Sequence, residues 1–263
     1  NAGLTLTTGG ILVSSLTDDA GTFSINGPGS LRGPAGQDLV FLNHPAGITR
    51  YHPSVISAPI VDNGSATGFT YSGLVPASGM GELLFLTGTN TYTGTTRILG
   101  GTLSIGDGGT TGSLDPSSQI VNDGTLIINR SNDLTFSNSI SGTGTLTKSG
   151  AGAMLLPNNN TYSGNTTVNG GTLQIGADNA LGSGAILYLS GGAIEASGAS
   201  RMITSQVNLT AGSSVVGSQD VTFSNTFYQD YVNNTPGGVV LTNNLTAGKK
   251  LTINGNVGIQ YQN

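Results

Sequence analysis

Apolar and polar residues alternate in short bursts along this chain. In Thr102–Ile105 (TLSI), Leu103 and Ile105 share one face while Thr102 and Ser104 share the other. The pattern returns in Thr125–Ile128 (TLII), with Leu126 and Ile128 in those places, and in Thr172–Ile175 (TLQI), with Leu173 and Ile175. Leu146 stands at the same place in Thr145-Leu146-Thr147-Lys148. A period of two predicts strands with one face buried and one wet, and β-branched Thr suits the wet face. Further bursts predict strands at 22–25, 38–41, 133–136, 153–156, 220–223, 239–241 and 251–253. Gly, Asn, Ser and Asp lie between them, supplying the turns that strand corners need. No stretch carries apolar residues at helical spacing over a dozen positions without Gly, so an alternating strand–helix fold is excluded.

The bursts are spaced. Gly-Thr-Leu occurs at Gly101, Gly124, Gly144 and Gly171, with Gly-Glu-Leu at Gly81 and Gly-Ala-Ile at Gly192. A step of about 20–27 residues suits one coil of a solenoid, in which stacked units bury a face that none could bury alone. The Gly-Thr-Leu phase predicts that equivalent residues stack above one another. On a larger scale, NTYTGTTRILGGTLSIG (Asn90–Gly106) and NTYSGNTTVNGGTLQIG (Asn160–Gly176) superpose without a gap. Tyr92 and Tyr162 fall at matching places, where an aromatic ring would stack over a coil corner left open by Gly and Asn. The fold class expected is all-β, a single parallel solenoid over residues 1–263. Residues 1–78 are divergent coils with a loop insertion, 79–200 hold two clear repeats, and 201–263 are divergent coils.

Composition narrows function. Charged residues make up 8% of the 263, hydrophobic ones 36%, and the net charge is −5. The frequent β-branched residues and low net charge separate this chain from disordered ones. No basic stripe is present to neutralise phosphates, so nucleic acid is not an expected partner. With no cysteine, thiolate metal sites and cysteine nucleophiles are excluded. No apolar run reaches the length of a membrane span.

The candidate chemistry is thin. His44 and His52, the only two histidines, stand with Arg50 and Tyr51 in NHPAGITRYHPS, the densest polar–aromatic cluster and a candidate contact loop. No carboxylate lies at ligand spacing there, so no metal or other cofactor is expected. Glutamate occurs only at Glu82 and Glu195, and the aspartates sit mostly beside Gly or Asn, as turn-formers do. A glycosidase needs paired carboxylates across a sugar bond. Gly106–Asp115 (GDGGTTGSLD) is similar to a calcium nonapeptide but lacks the tandem partner that completes an ion cage. Seven Asn-x-Ser/Thr sequons, Asn129, Asn165 and Asn244 among them, follow from the abundance of Asn and Thr.

Residues 142–186 resemble the autotransporter-associated β-strand repeat, also called the passenger-associated transport repeat. The resemblance rests on Gly144-Thr-Leu-Thr-Lys148, Gly150, Gly152, Leu156, Asn160-Thr-Tyr-Ser-Gly164, Thr166, Val168 and Gly171-Thr-Leu173. Pro157-Asn158-Asn159 replaces the usual Gly-bearing turn. A second copy spans about 79–114, without the Thr-Lys lead-in. The resemblance implies a right-handed parallel β-helix from the secreted passenger of a bacterial surface protein, located outside the cell. The expected function is a non-catalytic structural or adhesive rod or spacer. Its partners would be neighbouring coils, a second copy, or a surface glycan or other cell-surface molecule. A self-assembling filament subunit and a carbohydrate-active β-helix enzyme are the alternatives.

Overall fold

The structure, a computed structural model, describes residues 4–6, 10–13, 22–43, 53–73, 82–184, 186–231 and 239–261. Among these every regular element is a strand, and every strand pairing is parallel. The fold is an all-β parallel solenoid, in which successive strands of the chain fall in different ladders and each ladder gains one strand per coil. The chain divides into two compact units, Asn1–Arg130 with Asn138–Gly144, and Ser131–Ser137 with Thr145–Asn263.

In the first unit, one ladder runs through Gly10–Val13, Leu39–Asn43, Phe69–Gly73, Thr96–Gly100, Ile120–Asn122 and Ile140–Ser141. A second runs through Ser24–Ile25, Ser54–Ile56, Leu83–Leu86, Thr102–Ile105 and Thr125–Asn129. A third side is reduced to Leu4–Thr5 beside Leu31–Arg32 and two bridges, Leu31 with Ile60 and Thr89 with Ser113. In the second unit, one ladder holds Thr145–Ser149, Thr166–Val168, Ile186–Ser190, Gln206–Ala211, Phe227–Tyr231 and Val257–Tyr261. Another holds Leu134–Thr135, Ala153–Leu156, Thr172–Ile175, Ala193–Ala196, Ser213–Gly217 and Leu241–Leu245. The third comprises Arg201–Ile203, Val221–Phe223 and Leu251–Ile253.

The alternation sets the burial. Leu103, Ile105, Leu126, Ile128, Leu146, Leu173 and Ile175 are all buried, while Thr102, Thr125, Thr145 and Thr172 are partly exposed. Each such side chain gains about 1.5–3 kcal/mol from leaving water. Ser104 faces outward and is nevertheless buried, because its hydroxyl turns onto the Gly106 carbonyl at 2.6 Å.

The predicted stacking phase holds in part. Leu103 pairs in register with Leu126, as the Gly-Thr-Leu phase requires. Leu146 pairs with Thr166 on the following coil of its ladder, whereas Leu173 pairs with Met154 and Ile194 in a different ladder. A typical coil of the second unit spans about 20 residues, as between Leu187 and Val207, so a Gly-Thr-Leu step of 27 overshoots it and lands on another side. Longer coils occur too: Phe41 pairs with Tyr71 and Phe227 with Val257, 30 residues on, beyond the expected range. Those coils carry insertions between the strands.

Candidate functional site

Chemistry in this protein gathers where its repeats turn a corner. In the first copy Tyr92 is fully buried, packs against Phe69 with ring centroids 6.1 Å apart, and meets the Thr96 hydroxyl at 2.7 Å. In the second copy Tyr162 is equally buried and meets Thr166 at 2.6 Å. Burial pushes both phenols well above the usual tyrosine range, with the threonine hydroxyls opposing it. The two tyrosines are thus interior clips between turn and strand, with no exposed aromatic surface.

The asparagine before each tyrosine is a splice between coils. Asn90 accepts from the Ile60 amide through Oδ1 at 3.0 Å and donates through Nδ2 to the Ser113 carbonyl at 3.0 Å. It thereby joins the coil before it to the coil after it. Asn160 donates to the Ala180 carbonyl at 2.7 Å. Both are nearly fully buried, so these bonds are made without competing water.

Lys148 is the second device. Its side chain is 2% exposed, and its ammonium donates to the carbonyls of Ser149, Gly150 and Gly170 at 2.8, 2.9 and 3.1 Å. All three donors are used. Burial lowers its pKa to about 8, with the negative charge of Asp133 opposing. Gly171 (φ +60°) lies beside it, and a Cβ there would come within 2.7 Å of the Lys148 Nζ. The first copy solves the matching corner differently. The Tyr71 hydroxyl donates to the Glu82 carbonyl at 2.8 Å, beside Gly101 (φ +74°). A left-handed glycine bares backbone carbonyls at each corner, and a donor from a neighbouring strand, ammonium or phenol, satisfies them.

The aspartates exceed their expected role. Asp107 and Asp115 do form local turns, accepting from Gly109 and Ser117. Others reach one coil further on: Asp62 accepts from the Thr93 amide, Asp123 from Thr143, Asp133 from Ala153 and Asp220 from Lys250, at 2.8–3.0 Å. Burial pushes the Asp62 carboxyl up, but bonds from Thr67 and Thr93 outweigh it and hold its pKa below the usual value.

The remaining candidates are placed as follows. His44, Arg50, Tyr51 and His52 lie outside the described residues. Glu82 is buried beside Asn43 and Ser54, and the Asn43 amide lies 3.4 Å from the Glu82 carboxylate. Glu195 faces outward and accepts from Gln174 at 2.8 Å. In the calcium-like loop, Arg130 donates to the carbonyls of Gly112 and Thr110 at 2.5 Å, so a guanidinium sits on oxygens that a cation would use. Among the described residues no group of three or more His, Asp or Glu side chains is arranged to hold a metal.

Comparison with known proteins places the repeats. The family model of the passenger-associated-transport-repeat matches residues 81–105 and 146–175. These segments hold the strands that flank Tyr92 and Tyr162, together with Lys148. The chain is also similar to the adhesin BmaC autotransporter of Brucella suis biovar 1 (strain 1330), with 43% identity over 102 residues, or 39% of this chain. It spans about 3% of that protein's length. No solved structure matches the chain. The chain carries two passenger-associated-transport repeats, and the sequence resemblance and the family model agree on where they lie.

Proposed function

We propose that this chain is a non-catalytic adhesive and spacer segment of a passenger displayed on a bacterial surface. The observation that carries this reading is where the polar chemistry goes. In both repeats the Asn and Tyr side chains, and in the second Lys148, are spent on backbone and neighbouring coils, which makes stacking cumulative and leaves an outer surface with few charges. Such a segment sets distance and presents a surface. Similarity to an autotransporter adhesin supports the adhesive part and the location outside the cell.

Two experiments test it. Beads coated with the purified chain should retain cultured host cells above albumin-coated beads; equal retention overturns the adhesive part. A screen against uronate-containing and neutral glycans, with and without calcium, should show no turnover. Turnover abolished by one Asp or Glu substitution overturns the non-catalytic part.

A second reading, a filament subunit stacking head to tail, draws on the exposed apolar side chains Val240, Ile253 and Val257. Apolar side chains of that kind can seat a second copy through a heterologous contact, which need not close. Sedimentation that finds only monomer at high concentration overturns it.

A further inference from the structure

Asn-Gly occurs four times in this chain, at Asn26, Asn63, Asn169 and Asn254. In this dipeptide the asparagine side chain lies open to attack by the next backbone nitrogen, because glycine puts no Cβ in the way of the closing ring. The fold treats the four differently. The Asn26 Oδ1 accepts from the Ser57 hydroxyl at 2.7 Å, and the Asn63 Nδ2 donates to the Gly33 carbonyl at 3.1 Å. Each is tied to a neighbouring coil and cannot swing onto the following amide without breaking that bond.

Asn169 and Asn254 are both exposed, and among the described residues neither side chain has a hydrogen-bond partner. What separates them is the glycine. A Cβ on Gly255 would collide with the Asn225 carbonyl, so that peptide is wedged against another coil. At Gly170 the nearest atoms to such a Cβ are the backbone O and N of Gly150, at 3.5 and 4.0 Å, ordinary contact distances. The Gly170 N–H meets no backbone carbonyl among the described residues. Of the four sites, 169–170 alone combines a free amide side chain, a free N–H and room to move.

Its place in the fold gives the reaction a consequence. The Asn169 N–H donates to the Lys148 carbonyl at 2.9 Å, and the Gly170 carbonyl takes one of the three ammonium bonds of Lys148, at 3.1 Å. In the first copy Leu99 stands where Asn169 stands in the second, followed by Gly100 and Gly101, so that corner holds no reacting amide.

We propose that Asn169-Gly170 is a self-modification site, at which the second repeat converts asparagine to aspartate and isoaspartate without an enzyme. The Gly170 nitrogen bonds to Asn169 Cγ, the Cγ–Nδ2 bond breaks, and the proton of the attacking amide leaves with the side-chain nitrogen as ammonia. Water then opens the cyclic imide. Opening at Cγ gives aspartate; opening at the main-chain carbonyl carbon gives isoaspartate, whose backbone is a methylene longer. The aspartate form adds a carboxylate at the lysine corner. The isoaspartate form lengthens the chain between Val168 and Gly170 and carries the Gly170 carbonyl off the Lys148 ammonium. The site ages the second repeat and spares the first. It goes beyond the adhesive reading and does not depend on it.

The test is peptide mapping by mass spectrometry of the whole folded chain after weeks at neutral pH, with the same chain in urea as reference. In the folded chain the peptide holding Asn169 should convert about tenfold faster than those holding Asn26, Asn63 or Asn254, the factor that one hydrogen bond or wedged contact is worth. In urea the four should convert at similar rates. Conversion at Asn169 no faster than at the others, or the same ranking in urea, overturns the proposal. Gly170→Ala, for which the fold has room, should keep the wild-type circular dichroism and slow conversion at Asn169; conversion at the wild-type rate overturns attack by the residue 170 nitrogen. The Ala193 amide, which donates to the Gly171 carbonyl at 2.8 Å, should exchange faster in isoaspartate protein than in fresh protein. In Asn169→Asp, which adds the charge without the methylene, it should exchange as in fresh protein. Equal exchange in fresh and isoaspartate protein, or equally fast exchange in Asn169→Asp, overturns the effect of the longer backbone on the corner.

Discussion

Replacing Tyr162 by Phe removes one oxygen and tests what the repeated tyrosine is for. The Tyr162 hydroxyl meets Thr166 at 2.6 Å, and the Thr166 side chain is 2% exposed. Loss of the phenol strands a buried hydroxyl, which costs about 1–3 kcal/mol. Thr166→Val strands the phenol instead, at a similar cost. The double variant removes both partners and should lie close to the wild type, giving a coupling of about 1–2 kcal/mol. The first copy supplies a control. There Ser118 donates to the Gly94 carbonyl at 2.7 Å, so Thr96 donates to Ser118 at 3.2 Å and Tyr92 donates to Thr96. After Tyr92→Phe the Thr96 hydroxyl still has a partner, and the loss should be nearer the 0.5–1.5 kcal/mol of an ordinary bond. Urea unfolding followed by circular dichroism gives the totals. Amide exchange at Ser183, whose N–H donates to the Tyr162 carbonyl at 3.0 Å, reports the local effect. Additive single variants, or equal losses at Tyr92 and Tyr162, would refute the argument.

Two further outcomes follow from burial and charge. Leu173→Asp places an unpaired charge at a fully buried position and should unfold its surroundings at a cost of several kcal/mol, roughly, while Thr172→Asp, on the outward face, should be tolerated; equal melting temperatures would contradict the register. Lys148 has a folded pKa of about 8, below the ordinary lysine value, so the folded chain releases this proton first and stability should rise with pH from about 8 towards 10. Above about pH 10 the buried tyrosines act in the opposite direction, since their raised pKa values make folded protein hold protons that unfolded chain releases. Urea midpoints measured from pH 7 to 10 should show the rise in wild type and lose it in Lys148→Met.

Alternation made the strands and their inward faces legible, because Leu103, Leu126, Leu146 and Leu173 each needed only their two neighbours to be placed. Partners were less legible. A period of two assigns a face but carries no information on which strand lies alongside. The recurring Gly-Thr-Leu suggested a constant phase, yet Leu173 pairs with Met154 and Ile194 because coil length, set by turns and insertions, fixes register. The aspartates show the same limit: beside Gly or Asn they read as local turns, while Asp123 and Asp133 reach amides 20 residues on.

The lysine corner explains why a repeat with so few charged residues keeps one where water cannot reach. At each corner a left-handed glycine turns the strand, and the backbone carbonyls around it point inward, where an unmet acceptor is costly. An ammonium with three donors can close three carbonyls at once, as Lys148 does. A phenol closes one, as Tyr71 does on Glu82. The Thr-Lys lead-in is missing from the first copy, and there a tyrosine from the neighbouring ladder supplies the donor. What the repeat specifies at this corner is therefore a hydrogen-bond donor at a bared turn. Sequence identity between copies understates their equivalence, because the donor need not come from the same segment.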